Sequence, residues 1–105
     1  MPVNDGDPFQ FLQAWYESQC DGDWEHEYGI RLGTLDNPGW WFEIDLTGTA
    51  FERKLLPKSK TEPGLGRWIW SESDGRQYAC SCDKSSLNLA LELFQKFVET
   101  RPEED

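Results

Sequence analysis

Residues 28–46 read YGIRLGTLDNPGWWFEIDL and indicate the fold class more clearly than any other stretch of the chain. Before the central turn the sequence alternates with a period of two, so one strand face carries Tyr28, Ile30, Leu32 and Thr34. After the turn, one face carries Trp40, Phe42, Ile44 and Leu46, and the opposite face carries Trp41, Glu43 and Asp45. Such alternation is typical of strands with one buried face. The stretch therefore predicts an antiparallel hairpin with one face toward a core.

The turn of this hairpin contains Asn37, Pro38 and Gly39. Proline at the second position and glycine at the third fit a type II turn, in which the third residue has a positive φ. We therefore predict a type II turn that joins the two strands.

On the N-terminal side, Pro8 opens a segment with apolar residues at helical spacing, and Asp7 is placed to cap it. The acidic residues 21–23 would end this helix, with Gly22 free to take a positive φ. On the C-terminal side, an amphipathic stripe predicts a second helix, capped from among Asp83, Ser85 and Ser86. The stripe consists of Leu87, Ala90, Leu91, Phe94, Phe97 and Val98.

Between the hairpin and the last helix, the sequence predicts three further strands. One is expected near residues 50–56, followed by a basic loop over residues 57–66, which read PKSKTEPGLG. The other two, residues 67–73 and 77–82, would form a hairpin about an Asp74-Gly75 turn. With 105 residues the chain is expected to be a single domain, with residues 1–7 and 102–105 frayed. The predicted architecture is a two-layer α+β domain, in which both terminal helices cover one face of an antiparallel sheet of about five strands.

The formal net charge is −10, and it is unevenly distributed. Residues 1–27 hold seven acidic residues and no Lys or Arg, whereas residues 53–84 hold seven basic residues against four acidic ones. A negative field repels nucleic acid and anionic membrane surfaces, and it attracts basic partners. We therefore expect no nucleic-acid partner and no membrane association.

The three cysteines, Cys20, Cys80 and Cys82, are an odd number without the spacing of a disulfide framework. From the sequence we expect no signal peptide and no membrane-spanning segment, and hence a cytoplasmic location with reduced thiols. A zinc module would need Cys20 and His26 together with Cys80 and Cys82, but C-x-C is not the usual C-x2-C knuckle. An enzyme that uses Cys20 and His26 is the other alternative, although the surrounding carboxylates would raise a thiol pKa. We expect no cofactor, no metal and no catalysis.

Protein recognition is the remaining interpretation, because interface centres favour aromatic residues and complementary charge guides association. The candidate partner-binding residues are Asp21, Asp23, Trp24, Glu25, His26, Trp41, Glu43 and Asp45. The two tryptophans are also open to a structural interpretation. Trp24 would then fill the junction between helix and sheet, and Trp41 would pack under the 57–66 loop.

Residues 12–40 read LQAWYESQCDGDWEHEYGIRLGTLDNPGW and closely resemble the signature of the immunity protein 53 family of bacterial polymorphic-toxin systems. The resemblance rests on CDGDWEH, YGI and TLDNPGW, and more loosely on IDLTGT and the NLALELF helix. It implies a small cytosolic protein that binds and neutralises a cognate toxin, without catalysis or cofactor. It assigns no partner-binding residues, and the 12–40 motif is either a binding surface or a folding core. We expect stoichiometric binding, with a basic nuclease as one candidate toxin, by a monomer or weak homodimer.

Overall fold

The structure is a computed structural model that describes residues 7–100. Its elements, in chain order, are α1 (Pro8–Gln19), α2 (Trp24–Glu27), β1 (Ile30–Leu35), β2 (Gly39–Asp45), β3 (Leu55–Thr61), β4 (Ile69–Asp74), β5 (Gln77–Cys82) and α3 (Leu87–Glu99). The expected fraying falls almost entirely outside the described residues. Asp7, the one residue of those ends that is described, caps α1 by accepting hydrogen bonds from the backbone N–H groups of Phe9 and Gln10.

The five strands form one antiparallel sheet in the order β1-β2-β5-β4-β3. Two hairpins, β1-β2 and β4-β5, meet at the centre, where β2 pairs with β5. Helix α3 lies over the sheet, and α1 packs beside α3. This arrangement confirms the predicted α+β fold with both terminal helices on one face.

Aromatic rings build most of the core between the two layers. The ring of Tyr78 on β5 contacts those of Phe94 and Phe97 on α3, with centroids 5.1 and 4.9 Å apart. Trp15 of α1 meets Phe94 edge to face at 5.3 Å, which joins the two helices. Edge-to-face pairs add roughly 0.5–1.5 kcal/mol each to the burial of the rings. The few but large apolar side chains of this chain are therefore enough for a core.

The third strand differs from its prediction. It runs from Leu55 to Thr61 rather than near residues 50–56, so the basic 57–66 segment begins as an edge strand and not as a loop. Pro57 lies at an irregularity in the pairing of β3 with β4, between Leu56 and Ser59. An edge strand tolerates proline at such a position because the missing N–H breaks no ladder bond.

The predicted type II turn of the first hairpin is wrong, because Gly39 has no positive φ. Gly39 is instead the first residue of β2 and is buried. A Cβ at this position would collide with the backbone carbonyl oxygen of Cys82. Close approach of two strands, and not turn geometry, therefore requires glycine here. Gly22, by contrast, has the predicted positive φ, at +96°.

Asp83 connects the start of β4 to the start of α3. Its carboxylate accepts hydrogen bonds from the backbone N–H groups of Trp68 and Ser85 and from the Ser86 hydroxyl. Ser86 is the N-cap residue of α3, but its hydroxyl serves Asp83 and Arg67 rather than the helix N–H groups. Burial raises the pKa of the Asp83 carboxyl, and the hydrogen bonds from Ser86, Trp68 and Ser85 outweigh that effect and lower it.

Candidate functional site: an acidic turn and an uncovered sheet face

The acidic turn between α1 and β1 is held together by two of its own carboxylates. Asp21 accepts hydrogen bonds from the backbone N–H groups of Asp23 and Trp24, at 2.9 and 3.0 Å. Glu25 reaches back and accepts from the N–H groups of Asp21 and Gly22, at 2.9 and 2.8 Å. This reciprocal arrangement resembles a capping box, which satisfies the free N–H groups at a helix start. Backbone N–H donors lower the pKa of both carboxyl groups.

Trp24 is buried beneath this turn, with 6% of its surface exposed. Its indole meets that of Trp15 edge to face at 6.3 Å, and its N–H donates to the backbone carbonyl of Thr47 at 2.8 Å. The structural interpretation of Trp24 is therefore correct. Trp24 belongs to the helix-covered side of the sheet and offers no exposed ring to a partner, because helix α1 and the end of β2 enclose it.

The other two candidates in the turn, Asp23 and His26, are exposed, and so is the neighbouring Glu27. Among the described residues no hydrogen bond to these three side chains is present. The turn thus combines two carboxylates that bond to its own backbone, those of Asp21 and Glu25, with exposed polar side chains.

Trp41, Glu43 and Asp45 lie on the sheet face opposite the helices, as predicted. The indole of Trp41 lies across β1 at Gly33, where an added Cβ would come within 2.7 Å of the indole nitrogen. Trp41 therefore packs on β1 and not under the 57–66 segment. Arg31 on β1 bridges to Glu43 and Asp45 at 3.2 and 3.1 Å.

Arg31 also affects the titration of its partners. Burial alone would raise the pKa of the Asp45 carboxyl, and hydrogen bonds from Arg31 and from the Gly29 N–H lower it instead. Because Arg31 is largely exposed, such pairs contribute only about 0–1 kcal/mol to stability. Of the two acidic residues of β2, Glu43 is therefore held by Arg31 with 38% of its side chain exposed, whereas Asp45 has 15% exposed.

Sequence reasoning missed part of the uncovered face. Trp70 on β4 occupies the same row of paired residues as Trp41, with Ser81 of β5 between them. Lys58 and Lys60 of β3 lie over the Trp70 ring, 5.2 and 5.5 Å from its centroid. The alternation of buried Ile69, Ser71 and Ser73 with Trp70 could have placed Trp70 on this face. Lys58 and Lys60 could not be placed on this face from the sequence, because the proline and glycine residues of the 57–66 segment predict a loop.

Because of the strand order, the acidic and basic segments of the sequence lie toward opposite edges of the sheet. β1 and β3 form opposite edges of the sheet, and they belong to chain segments of opposite sign. Residues 7–46, which include α1, the acidic turn, β1 and β2, hold nine acidic residues and Arg31 as their one basic residue. We call these residues the acidic half. The segment 53–84, which contains β3, is net basic.

The three cysteines lie in different surroundings. Cys80 and Cys82 are buried side by side on the core face of β5, and Cys20 is half-buried at the C-terminal end of α1. Among residues 7–100, no three His, Cys, Asp or Glu side chains are grouped to hold a metal ion. The four residues of the zinc alternative are thus not brought together.

Burial raises the pKa of the Cys80 thiol, and it raises that of Cys82 to about 11. Thiolates are the reactive form of cysteine, so the raised pKa values lower the reactivity of both β5 thiols at neutral pH. The Cys20 thiol donates to the backbone carbonyl of Tyr16 at 3.3 Å.

The structure is thus a small α+β domain with one sheet face covered by helices and the other uncovered, and with acidic residues concentrated toward the β1 edge. The sequence model of the family described as Immunity protein 53 matches residues 9–99. The chain belongs to the immunity protein 53 family. No curated protein and no solved structure matches the chain. None of the helices in the described part is long and apolar enough to cross a bilayer.

Proposed function

We propose that this protein neutralises a cognate toxin by forming a one-to-one complex through its acidic half. The family match over residues 9–99 is the observation that carries the proposal, since it supports an immunity function for nearly the whole chain. An immunity protein acts by occupying a surface of its toxin, which requires affinity and fast association but no chemistry. Both requirements are served by charge complementarity and by buried anchors at the interface centre.

The proposed contact region joins the acidic turn to the uncovered face of β2. It contains Asp21, Asp23, Glu25, His26, Trp41, Glu43 and Asp45. Asp23 and His26 are exposed, and Trp41 is the aromatic anchor on the sheet face. Trp24 supports the turn from inside and makes no direct contact. Because Asp21 and Glu25 bond to the turn itself, they present a preformed negative surface, which lowers the entropy cost of binding.

The charge of this region favours a basic toxin, and a nuclease is the class that best fits. Nuclease active sites bind phosphate groups, and a rigid set of carboxylates can occupy the same electrostatic position. The complex should then associate fast at low salt and more slowly as added salt screens the charges.

The proposal is tested with the toxin domain encoded by the reading frame next to that of this chain. Co-expression should restore growth of cells that produce the toxin, and the two proteins should co-purify. An absence of both rescue and co-purification would refute the proposal.

The electrostatic part is tested by a pair of matched double variants. Asp23→Asn with Glu27→Gln removes two free carboxylates from the acidic turn, and association should slow about three- to tenfold at low salt. Glu62→Gln with Glu92→Gln changes the net charge equally, but beside β3 at the opposite edge of the sheet, and should leave the association rate unchanged. Equal rates for the two double variants would place the contact region elsewhere.

A further inference from the structure

The two edges of the sheet differ in how they are protected from further pairing. At the β3 edge, Pro57, the pairing irregularity beside it, and the charges of Lys58 and Lys60 all hinder the addition of a strand. At the β1 edge, the sequence IRLGTL contains no proline, no lysine and no irregularity in its pairing with β2. A free edge of this kind pairs readily with an extended segment of another chain.

The free hydrogen-bonding groups of β1 can be assigned from its register. The Asp45 N–H donates to the Gly29 carbonyl, so residues 29 and 45 form a hydrogen-bonded pair. Because bonded and non-bonded pairs alternate along an antiparallel ladder, the backbone groups of Arg31, Gly33 and Leu35 point toward β2. The N–H and C=O groups of Ile30, Leu32 and Thr34 therefore point away from the sheet.

An apolar groove runs beside these free groups, between α1 and β1. It has a volume of about 490 Å³ and is lined by Phe9, Gln10, Leu12, Gln13, Tyr16, Gly29 and Ile30. Of the lining residues, Phe9 is 47% and Tyr16 37% exposed, and Leu32, two residues beyond Ile30 on the same face of β1, is 45% exposed. Ile30 and Leu32 pair with the core residues Ile44 and Phe42, so their side chains lie on the helix side of the sheet. Every second side chain of an added strand would enter this groove.

The charge around the groove indicates which kind of partner can bind there. The acidic turn, residues 21–27, precedes β1, and Asp36 follows it, so both ends of the free edge are negative. Two copies of this chain paired through β1 would bring these acidic ends together, and each copy carries a net charge of −10. A second copy is therefore disfavoured, and a basic partner is favoured.

We infer that the toxin presents an extended segment, with alternating apolar residues flanked by Lys or Arg, which adds to β1 as a sixth strand. This inference rests on the proposed function and names the mode of docking. Backbone hydrogen bonds to Ile30, Leu32 and Thr34 supply affinity. Apolar side chains in the α1-β1 groove and basic residues near the acidic turn supply specificity.

The docking mode is tested by measuring how tightly two variants bind the purified toxin domain from the neighbouring reading frame. Each variant changes one exposed leucine at one edge of the sheet. Leu32→Lys changes the β1 edge and should raise the Kd at least about tenfold, because it charges the groove border. Leu55→Lys makes the same change at the β3 edge, where Leu55 is 69% exposed, and should leave the Kd within about twofold.

A second pair of variants tests the backbone contact. Thr34→Pro removes one outward N–H and should weaken binding about tenfold, whereas Thr34→Ala keeps that N–H and should bind like the original chain. Proline is tolerated where an edge N–H faces solvent, and thermal unfolding verifies that the variant is folded. In the complex, the amide hydrogens of Ile30, Leu32 and Thr34 should exchange more slowly than in the free protein.

Three results would overturn the inference. The first is toxin binding that Leu32→Lys and Thr34→Pro leave unchanged. The second is a homodimer of the free protein, seen by analytical ultracentrifugation, that Leu32→Lys dissociates. The third is a toxin domain without an excess of basic residues. Failure of the proposed function would look different: the unaltered chain would then neither bind nor neutralise the toxin. If the unaltered chain binds and the β1 variants bind equally well, only the docking mode is wrong.

Discussion

The indole N–H of Trp24 donates a hydrogen bond to the backbone carbonyl of Thr47, with 2.8 Å between nitrogen and oxygen. This bond ties the acidic turn to the residues that follow β2, where a Cβ added at Gly48 would come within 3.2 Å of the Trp24 ring. The most distinctive segment of the sequence therefore has a folding role at its centre. Its charged residues are carried on a turn that one buried tryptophan fixes in place.

Replacing Trp24 with Phe should destabilise the protein without weakening its complex with toxin. The shorter ring leaves a cavity and loses the bond to Thr47, which costs about 2–4 kcal/mol. Trp70→Phe on the uncovered face should cost less than about 1 kcal/mol, and both values come from urea unfolding. A Trp24→Phe variant of full stability that no longer binds toxin would show that Trp24 is a contact residue after all.

Glu25 and Glu27 should differ in their effect on stability although both carry one negative charge in the same turn. Glu25→Ala removes the acceptor for the N–H groups of Asp21 and Gly22 and should lower the free energy of unfolding clearly more than Glu27→Ala does. Glu27→Ala removes an exposed carboxylate and should change the free energy of unfolding by less than about 0.5 kcal/mol. Equal costs in chemical denaturation would mean that the reciprocal bonds do not stabilise the turn.

Asp83 should make the stability depend on pH in the acidic range. Its folded pKa is below the unfolded value of about 3.9, so its contribution is complete above that value and is lost as the pH falls through the folded pKa. Asp83→Asn should therefore be less stable than the original chain at pH 6, and the difference should shrink toward pH 2. Unfolding measured at both pH values tests this, and a difference that is independent of pH would contradict it.

The three cysteine thiols should differ in their reactivity toward a thiol reagent in the folded protein. Cys20 is half-buried at the end of α1, whereas Cys80 and Cys82 are buried and their thiol pKa values are raised. A thiol reagent at neutral pH should modify Cys20 in the folded protein and the other two only after unfolding. Cys20→Ser should abolish the early reaction. Reaction of Cys80 or Cys82 in the native state would show that β5 is more open than the structure indicates.

The order of elements was largely predictable because alternation and turn residues are local signals. Both hairpins and both terminal helices follow from periods of two and of three to four residues. The position of β3 was not predictable, because its sequence LLPKSKT contains a proline and two lysines. This segment forms a strand only by pairing with β4. The requirement for glycine at position 39 was also not predictable. It arises from the carbonyl of Cys82, which is far from Gly39 in the sequence.

The candidate site was predictable only in part. The alternation of β2 correctly placed Trp41, Glu43 and Asp45 opposite the core. The orientation of Trp24 depends on its contacts with Trp15 and Thr47, which no local pattern encodes. The free edge of β1 and the groove beside it depend on strand order, and this order emerges only when β2 pairs with β5.

Neutralisation by one-to-one binding can be measured by titrating toxin activity with this protein, at toxin concentrations well above the Kd. Activity should fall linearly and reach its end at one equivalent, because each molecule inhibits one toxin. Complete loss of toxin activity at a small fraction of an equivalent would mean that the protein acts catalytically, and full toxin activity at excess would mean that it does not bind. Either result would exclude inhibition by stoichiometric binding.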